Sequence, residues 1–233
     1  GVAEVAEAFS AAAELSREVD DSTGLFVALR GMGQYQMISG DLATACAQVG
    51  HVLGLAEQLD DEGMIIEANH LGWSSLTFGG DLHAALRHAE TGAALYRRER
   101  HHHLTYSYSG HDPGVCCRSF SALTLWQLGR PDAAESLDRE GEALAGELAH
   151  PFTITVALWA SGLLAMLRRD VARLRDVGER MIDHCQDKGF APFLPMGHVF
   201  VGGALAADGA LAEGAARMTE GIEGLARSRT AYT

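Results

Sequence analysis

Histidines crowd one stretch of this 233-residue chain. His101, His102, His103 and His111 fall within residues 99–112, Asp112 closes the stretch, and Cys116 and Cys117 follow about one helical turn later. Imidazole, carboxylate and thiolate are the common transition-metal donors, so metal binding is one chemistry on offer. The spacing matches no zinc pattern, and no metal is assigned here. Two other readings stay open. The stretch is a loop folded over a groove, with Tyr106 and Tyr108 at its rim, or it is a solvated connector. Asp112–Pro113 has a structural account in either case: Asp as helix N-cap and Pro at the first helical position.

Elsewhere the expected signatures of catalysis are missing. A P-loop needs Gly-Lys-Ser or Gly-Lys-Thr, but the only lysine, Lys188, stands between Asp187 and Gly189. Gly31 and Gly33 lie inside a helical pattern and not after a strand, and neither a G-x-S-x-G elbow nor an H-E-x-x-H pair occurs. No nucleophile–base pair emerges, and the chain is expected to be no enzyme and to carry no cofactor. The net charge of −13 opposes a nucleic-acid or anionic-membrane surface, which requires a basic patch. No run of 18 apolar residues predicts a membrane span. Cys46, Cys116, Cys117 and Cys185 form no C-x-x-C pair and read as reduced core residues of a cytoplasmic protein. The start lacks both a signal peptide and an initiator Met, which predicts a piece of a longer chain.

The elements that position these residues follow from a repeat. Gly40-Asp41-Leu42, Gly80-Asp81-Leu82, Gly129-Arg130-Pro131, Arg169-Asp170-Val171 and Gly209-Ala210-Leu211 occupy one recurring slot, at steps of 40, 49, 40 and 40 residues. After the first slot, Leu42, Ala45, Val49, Val52, Ala56 and Leu59 fall on one helical face. Glycine suits a left-handed helix end, and the following Asp suits the N-cap of the next helix. No stretch alternates with period two. The fold class is therefore all-α: a right-handed solenoid of about five two-helix repeats of about 40 residues, plus a flanking N-terminal helix. The single domain 1–233 divides into units at 24–61, 62–98, 113–149, 151–188 and 191–227, with the connector at 99–112. The connector absorbs the extra residues of the one irregular step.

The small residue seven positions before the slot at Gly33, Gly162 and Gly202, the turn Gly-Asp, and the Ala five residues after the turn Gly resemble tetratricopeptide (TPR) repeats of a long form. The runs from Tyr108 to Cys117, Ala122 to Ala134 and Glu147 to Phe152 resemble more narrowly the C-terminal repeat region of large bacterial signalling proteins. In that family an adenylate/guanylate cyclase or other effector domain precedes an AAA/STAND-type ATPase and then such repeats. The resemblance implies a non-catalytic regulatory or scaffold segment of a signalling ATPase or cyclase. Its partner would be a protein, a peptide or another domain of the same parent chain.

In a TPR-type unit the first helix faces a concave groove at positions spaced like 2, 5, 9 and 12. Aligned on the slot, that register puts Arg30, Gln34, Glu67, His70, Ser74, Cys116, Ser119, Trp126 and Trp159 in the groove, polar at one end and apolar at the other. Plain alternatives stand beside it. Trp126 and Trp159 suit a core, and Glu67 with His70 suits an i,i+3 pair on one helix face. The leading expectation is a protein- or peptide-binding surface. The alternative is a small-molecule sensor with its ligand in the groove.

Overall fold

The computed structural model describes residues 2–228, and within them all regular structure is helical. The helices in order are α1 (Val2–Glu18), α2 (Ser22–Ser39), α3 (Leu42–Leu59), α4 (Glu62–Gly79) and α5 (Leu82–Leu95). Two four-residue helices follow, α6 (Arg98–His101) and α7 (Leu104–Ser107). The remainder are α8 (Pro113–Gln127), α9 (Pro131–Leu148), α10 (Pro151–Arg168), α11 (Val171–Lys188), α12 (Leu194–Ala207) and α13 (Leu211–Ser228).

Turn chemistry sets the pairing. Gly40, Gly80, Gly129 and Gly209 all have positive φ, between 74° and 95°, a conformation in which a side chain would crowd the backbone. Arg169 holds the same slot with φ 56° and no such relief. Asp41, Asp81 and Asp170 then cap the next helix, accepting from the N–H groups of Thr44, Ala84 and Arg173.

Consecutive helices pack in pairs, as in a helical-repeat solenoid. Helices α2, α4, α8, α10 and α12 each touch the next of their row, and α3, α5, α9, α11 and α13 back them. Two large buried apolar clusters run through the array, beside a small one at Val115, Ala145 and Ala157. One, around Phe26, Val52 and Leu71, joins the first four helices; the other runs from Trp73 to Phe200 and Leu225. By length and composition α10 could cross a membrane. Its packing against α8, α9 and α11 accounts for that apolarity, since Leu158, Trp159 and Leu164 are core residues there.

The second unit ends sooner than its sequence suggests. Tyr96 turns extended, at φ −60° and ψ 128°, and closes α5 at Leu95 instead of residue 98. The Tyr96 ring lies against Gly114, and its hydroxyl donates to Asp112 Oδ2 at 2.9 Å. The connector after it is neither irregular nor solvated along its length, because α6 and α7 bury His101, Leu104 and Thr105.

Candidate functional site

Asp112 anchors the far end of the connector. It is fully buried as the N-cap of α8, where Oδ1 accepts from the N–H groups of Gly114 and Val115 at 2.9 and 3.1 Å. Oδ2 meets Tyr96 and, at 2.8 Å, His102 Nδ1. Its own N–H donates to Thr153 Oγ1 on α10. With both ends fixed, residues 108–111 lie across the row of inner helices.

Arg30 holds the middle of that crossing. It sits on α2 with its side chain buried, and one guanidinium nitrogen, Nη2, lies 2.7 Å from Glu67 Oε2 on α4. The same nitrogen donates to the Ser109 hydroxyl, Nη1 donates to Gln34 Oε1 at 3.2 Å, and the guanidinium lies over the Tyr108 ring. Burial pushes the Glu67 carboxyl upward, but Arg30 and then His70 outweigh it and hold it below the usual value. The charged residues expected to greet a ligand thus neutralise one another.

Beneath this crossing lies a cavity of about 300 Å³. Gln34, Met37 and Ile38 of α2 form one wall, and His70 and Ser74 of α4 adjoin it. Cys116 and Phe120 of α8, Phe152, Val156 and Trp159 of α10, and Phe193 complete it. Tyr108, Ser109 and His111 make the roof. A larger depression of about 530 Å³ between α9, α10 and α11 is lined by Glu135, Glu142, Arg168 and Arg173, which pair with one another. That mutual pairing leaves the cavity under the connector as the better site for a ligand.

The cavity brings together Gln34, His70, Ser74, Tyr108, His111, Cys116 and Trp159. Arg30 and Glu67 lie just behind it as a buried pair. Two further expected groove residues, besides Arg30 and Glu67, do not line it. Ser119 is buried with its hydroxyl toward Gly141 of α9. Trp126 is partly buried against the core, with the Arg168 guanidinium 5.9 Å from its ring. The reason is a shift in spacing: α8 presents Cys116 and Phe120, four apart, and Ser119 rotates outward.

The other rim residues have structural partners. His101 is buried, with Nε2 3.0 Å from Glu62 and Nδ1 accepting from the Arg97 N–H. His102 is engaged with Asp112, and the exposed Tyr106 meets His150 edge-on. His103 borders a small polar depression beside Asp61 and Arg100. Ser109, Phe120, Phe152 and Phe193 line the cavity without having been singled out from sequence. Only Ser109 carried a signal, as a neighbour of two rim residues.

Burial sets the protonation of the polar wall. It holds His111 well below the ordinary imidazole value, with His70 and Arg30 adding to the effect. It lowers His70 too, against the pull of Glu67. Burial also pushes the Cys116 thiol far up, although Trp73 Nε1 donates to its sulfur at 3.5 Å. Three potential metal donors, His70, His111 and Cys116, have their ligand atoms within 4.8 Å of one another.

Comparison with known proteins adds fold and little else. No family profile matches the chain. An uncharacterized protein of Rhizobium meliloti (strain 1021) is 27% identical over 172 residues, which is 73% of this chain and 17% of that protein. The chain thus spans under a fifth of the length of this relative. Among solved structures, BtubC (BKLC) from P. vanneervenii superposes with a TM-score of 0.68 at 16% identity, over 100% of this chain and 94% of that one. What the chain shares with BtubC is its all-helical, pairwise-packed fold.

Proposed function

We propose that this chain is a non-catalytic sensing segment of a larger bacterial signalling protein, one carrying an ATPase or nucleotide cyclase elsewhere, and that its ligand is a small molecule held under the connector. On this reading the array is a right-handed TPR-like solenoid of about five repeats, working in the cytoplasm. The observation that carries the proposal is the roof. Tyr108, Ser109 and His111 lie over the inner row, where the TPR reading would run an extended peptide, and partly roof a cavity of about 300 Å³. Aromatic walls with a few convergent polar groups are the usual form of a small-molecule site. The short share of the Rhizobium relative that matches supports a segment within a long protein.

A second reading, a peptide or protein partner, has one observation in its favour. Phe78 is exposed beside Trp159 and Phe120, so the apolar wall continues onto the surface. Thermal-shift screens with a metabolite library and, separately, a peptide library distinguish the two, because a ligand that binds the native state raises Tm. The proposal expects hits among metabolites that weaken in Trp159→Phe and persist in Trp126→Phe. Stabilisation by peptides alone would overturn it in favour of the second reading. The isolated chain should neither hydrolyse ATP nor form cyclic nucleotides with Mg²⁺ or Mn²⁺; turnover surviving rigorous purification would refute the non-catalytic assignment.

A further inference from the structure

We propose that His70, His111 and Cys116 bind one transition-metal ion of borderline or soft character, zinc(II) being the best fit, in the wall of the cavity. The inference rests on these donors alone and holds whether or not a small molecule enters.

Geometry comes first. The two Nε2 atoms lie 3.2 Å apart, and all three residues are buried. Two imidazole nitrogens on a tetrahedral zinc, with bonds of about 2.0–2.1 Å, are separated by about 3.3 Å. The rings already stand at that spacing. A thiolate at about 2.3 Å from the ion would sit about 3.5 Å from each nitrogen, inside the 4.8 Å that already encloses the three ligand atoms.

The outer ring nitrogens give a second, independent argument. His111 Nδ1 lies 3.0 Å from the Ser109 carbonyl oxygen, which only accepts. His70 Nδ1 lies 3.3 Å from the Glu67 carboxylate, which also only accepts when ionised. With the proton on Nδ1 of both rings, the two Nε2 lone pairs face each other across 3.2 Å. Two lone pairs at 3.2 Å repel. A cation between them removes the conflict. A tautomer in which one Nε2–H donates to the other Nε2 relieves it too, but turns that ring's Nδ1 lone pair toward an oxygen that only accepts. A histidine that gives its far N–H to a carbonyl or carboxylate is also the usual second-shell arrangement of a metal ligand. Arg30 fixes Glu67 in its turn.

The donor set selects the ion. Two imidazoles and a thiolate suit Zn(II), Co(II) or Cu(I) and not Mg²⁺ or Ca²⁺. Three protein donors leave a coordination position free, and all three residues line the cavity. Binding Zn²⁺ converts the Cys116 S–H to Zn–S and releases that proton to solvent, one per ion bound.

The test uses the whole chain, stripped with chelator and titrated with CoCl₂ and then ZnCl₂. The expected result is one Co²⁺ per chain with a thiolate-to-cobalt charge-transfer band, displaced by Zn²⁺, and one proton released per ion. Cys116→Ser should abolish the band and weaken Zn²⁺ binding by more than the about 10–100-fold typical of losing a second-shell partner. The exposed His103→Ala should bind as the parent does. X-ray absorption of the zinc-loaded parent, expected to show one sulfur and two imidazoles, serves if Cys116→Ser fails to fold. Absence of stoichiometric binding, a coordination shell without sulfur, or binding lost in His103→Ala but kept in Cys116→Ser would each overturn the proposal.

Discussion

Arg30 on α2 and Glu67 on α4 form an ion pair 2.7 Å long with both side chains out of water. Such a pair is a weak source of net stability, yet removing one member strands the other. Arg30→Met is expected to destabilise the fold by about 3–5 kcal/mol in urea denaturation. The double variant Arg30→Met/Glu67→Leu should recover at least half of that. A single-variant loss below about 1 kcal/mol would show that Glu67 finds water or another partner.

Asp112 gathers four donors: two backbone N–H groups, the Tyr96 hydroxyl and His102. Asp112→Ala therefore removes a cap and leaves buried donors unpaired, an expected loss of about 2–4 kcal/mol. Asp112→Asn keeps the cap acceptor and should lose less. Limited proteolysis provides the second readout, with cleavage between residues 102 and 110 accelerated most in the alanine variant.

Arg169 occupies the turn slot that glycine fills in the four other units at φ 74° to 95°, and its exposed side chain contributes little packing. Arg169→Gly should stabilise the chain by about 0.5–1 kcal/mol, the left-handed penalty partly offset by a freer unfolded state. The reverse change, Gly40→Arg, should destabilise by a similar amount. Thermal melts of the two variants against the parent decide it.

Asp138 responds to pH in an unusual direction. Burial pushes its carboxyl up to about 6, although the Ser161 hydroxyl donates to it at 2.9 Å. Its unfolded value is near 3.9. Between those values the native state holds a proton that the unfolded chain has released, so its contribution to stability falls as pH rises from about 4 to 6. Asp138→Asn removes that penalty. The variant should exceed the parent by about 1–3 kcal/mol at pH 7.5, and the difference should vanish by pH 4. Urea midpoints at both pH values test it; an equal gap at both would place the effect elsewhere.

The turn slots were legible in the sequence because their chemistry is local. A glycine at a left-handed helix end followed by an Asp cap specifies itself within three residues, and the apolar spacing after it does the rest. The connector announced itself by breaking the 40-residue step. Its two short helices did not, since four residues are too few to display a period or to form without tertiary support. The repeat register placed Arg30, Glu67 and His70 on the inner row. It could not tell that they are shut away from water, because that depends on Ser109, 79 positions from Arg30 along the chain, passing overhead. The one-residue difference between Ser119 and Phe120 escaped for a related reason. A rigid spacing rule averages over helix rotations, and on α8 the cavity is lined by Cys116 and Phe120 and not by Ser119.

The strut from Arg30 to Ser109 has a mechanical consequence. It ties the second helix of the array to the segment entering α8, bridging over α4, and so restrains the early helices against the late ones. A molecule that lifts Tyr108 and Ser109 from their seat breaks that strut in the same act. On the function proposed above, filling the cavity and releasing that restraint would be a single event, with the distance between the two ends of the array as the output. A pair of spin labels on the exposed positions Glu14 and Glu213 would register it as a change in separation.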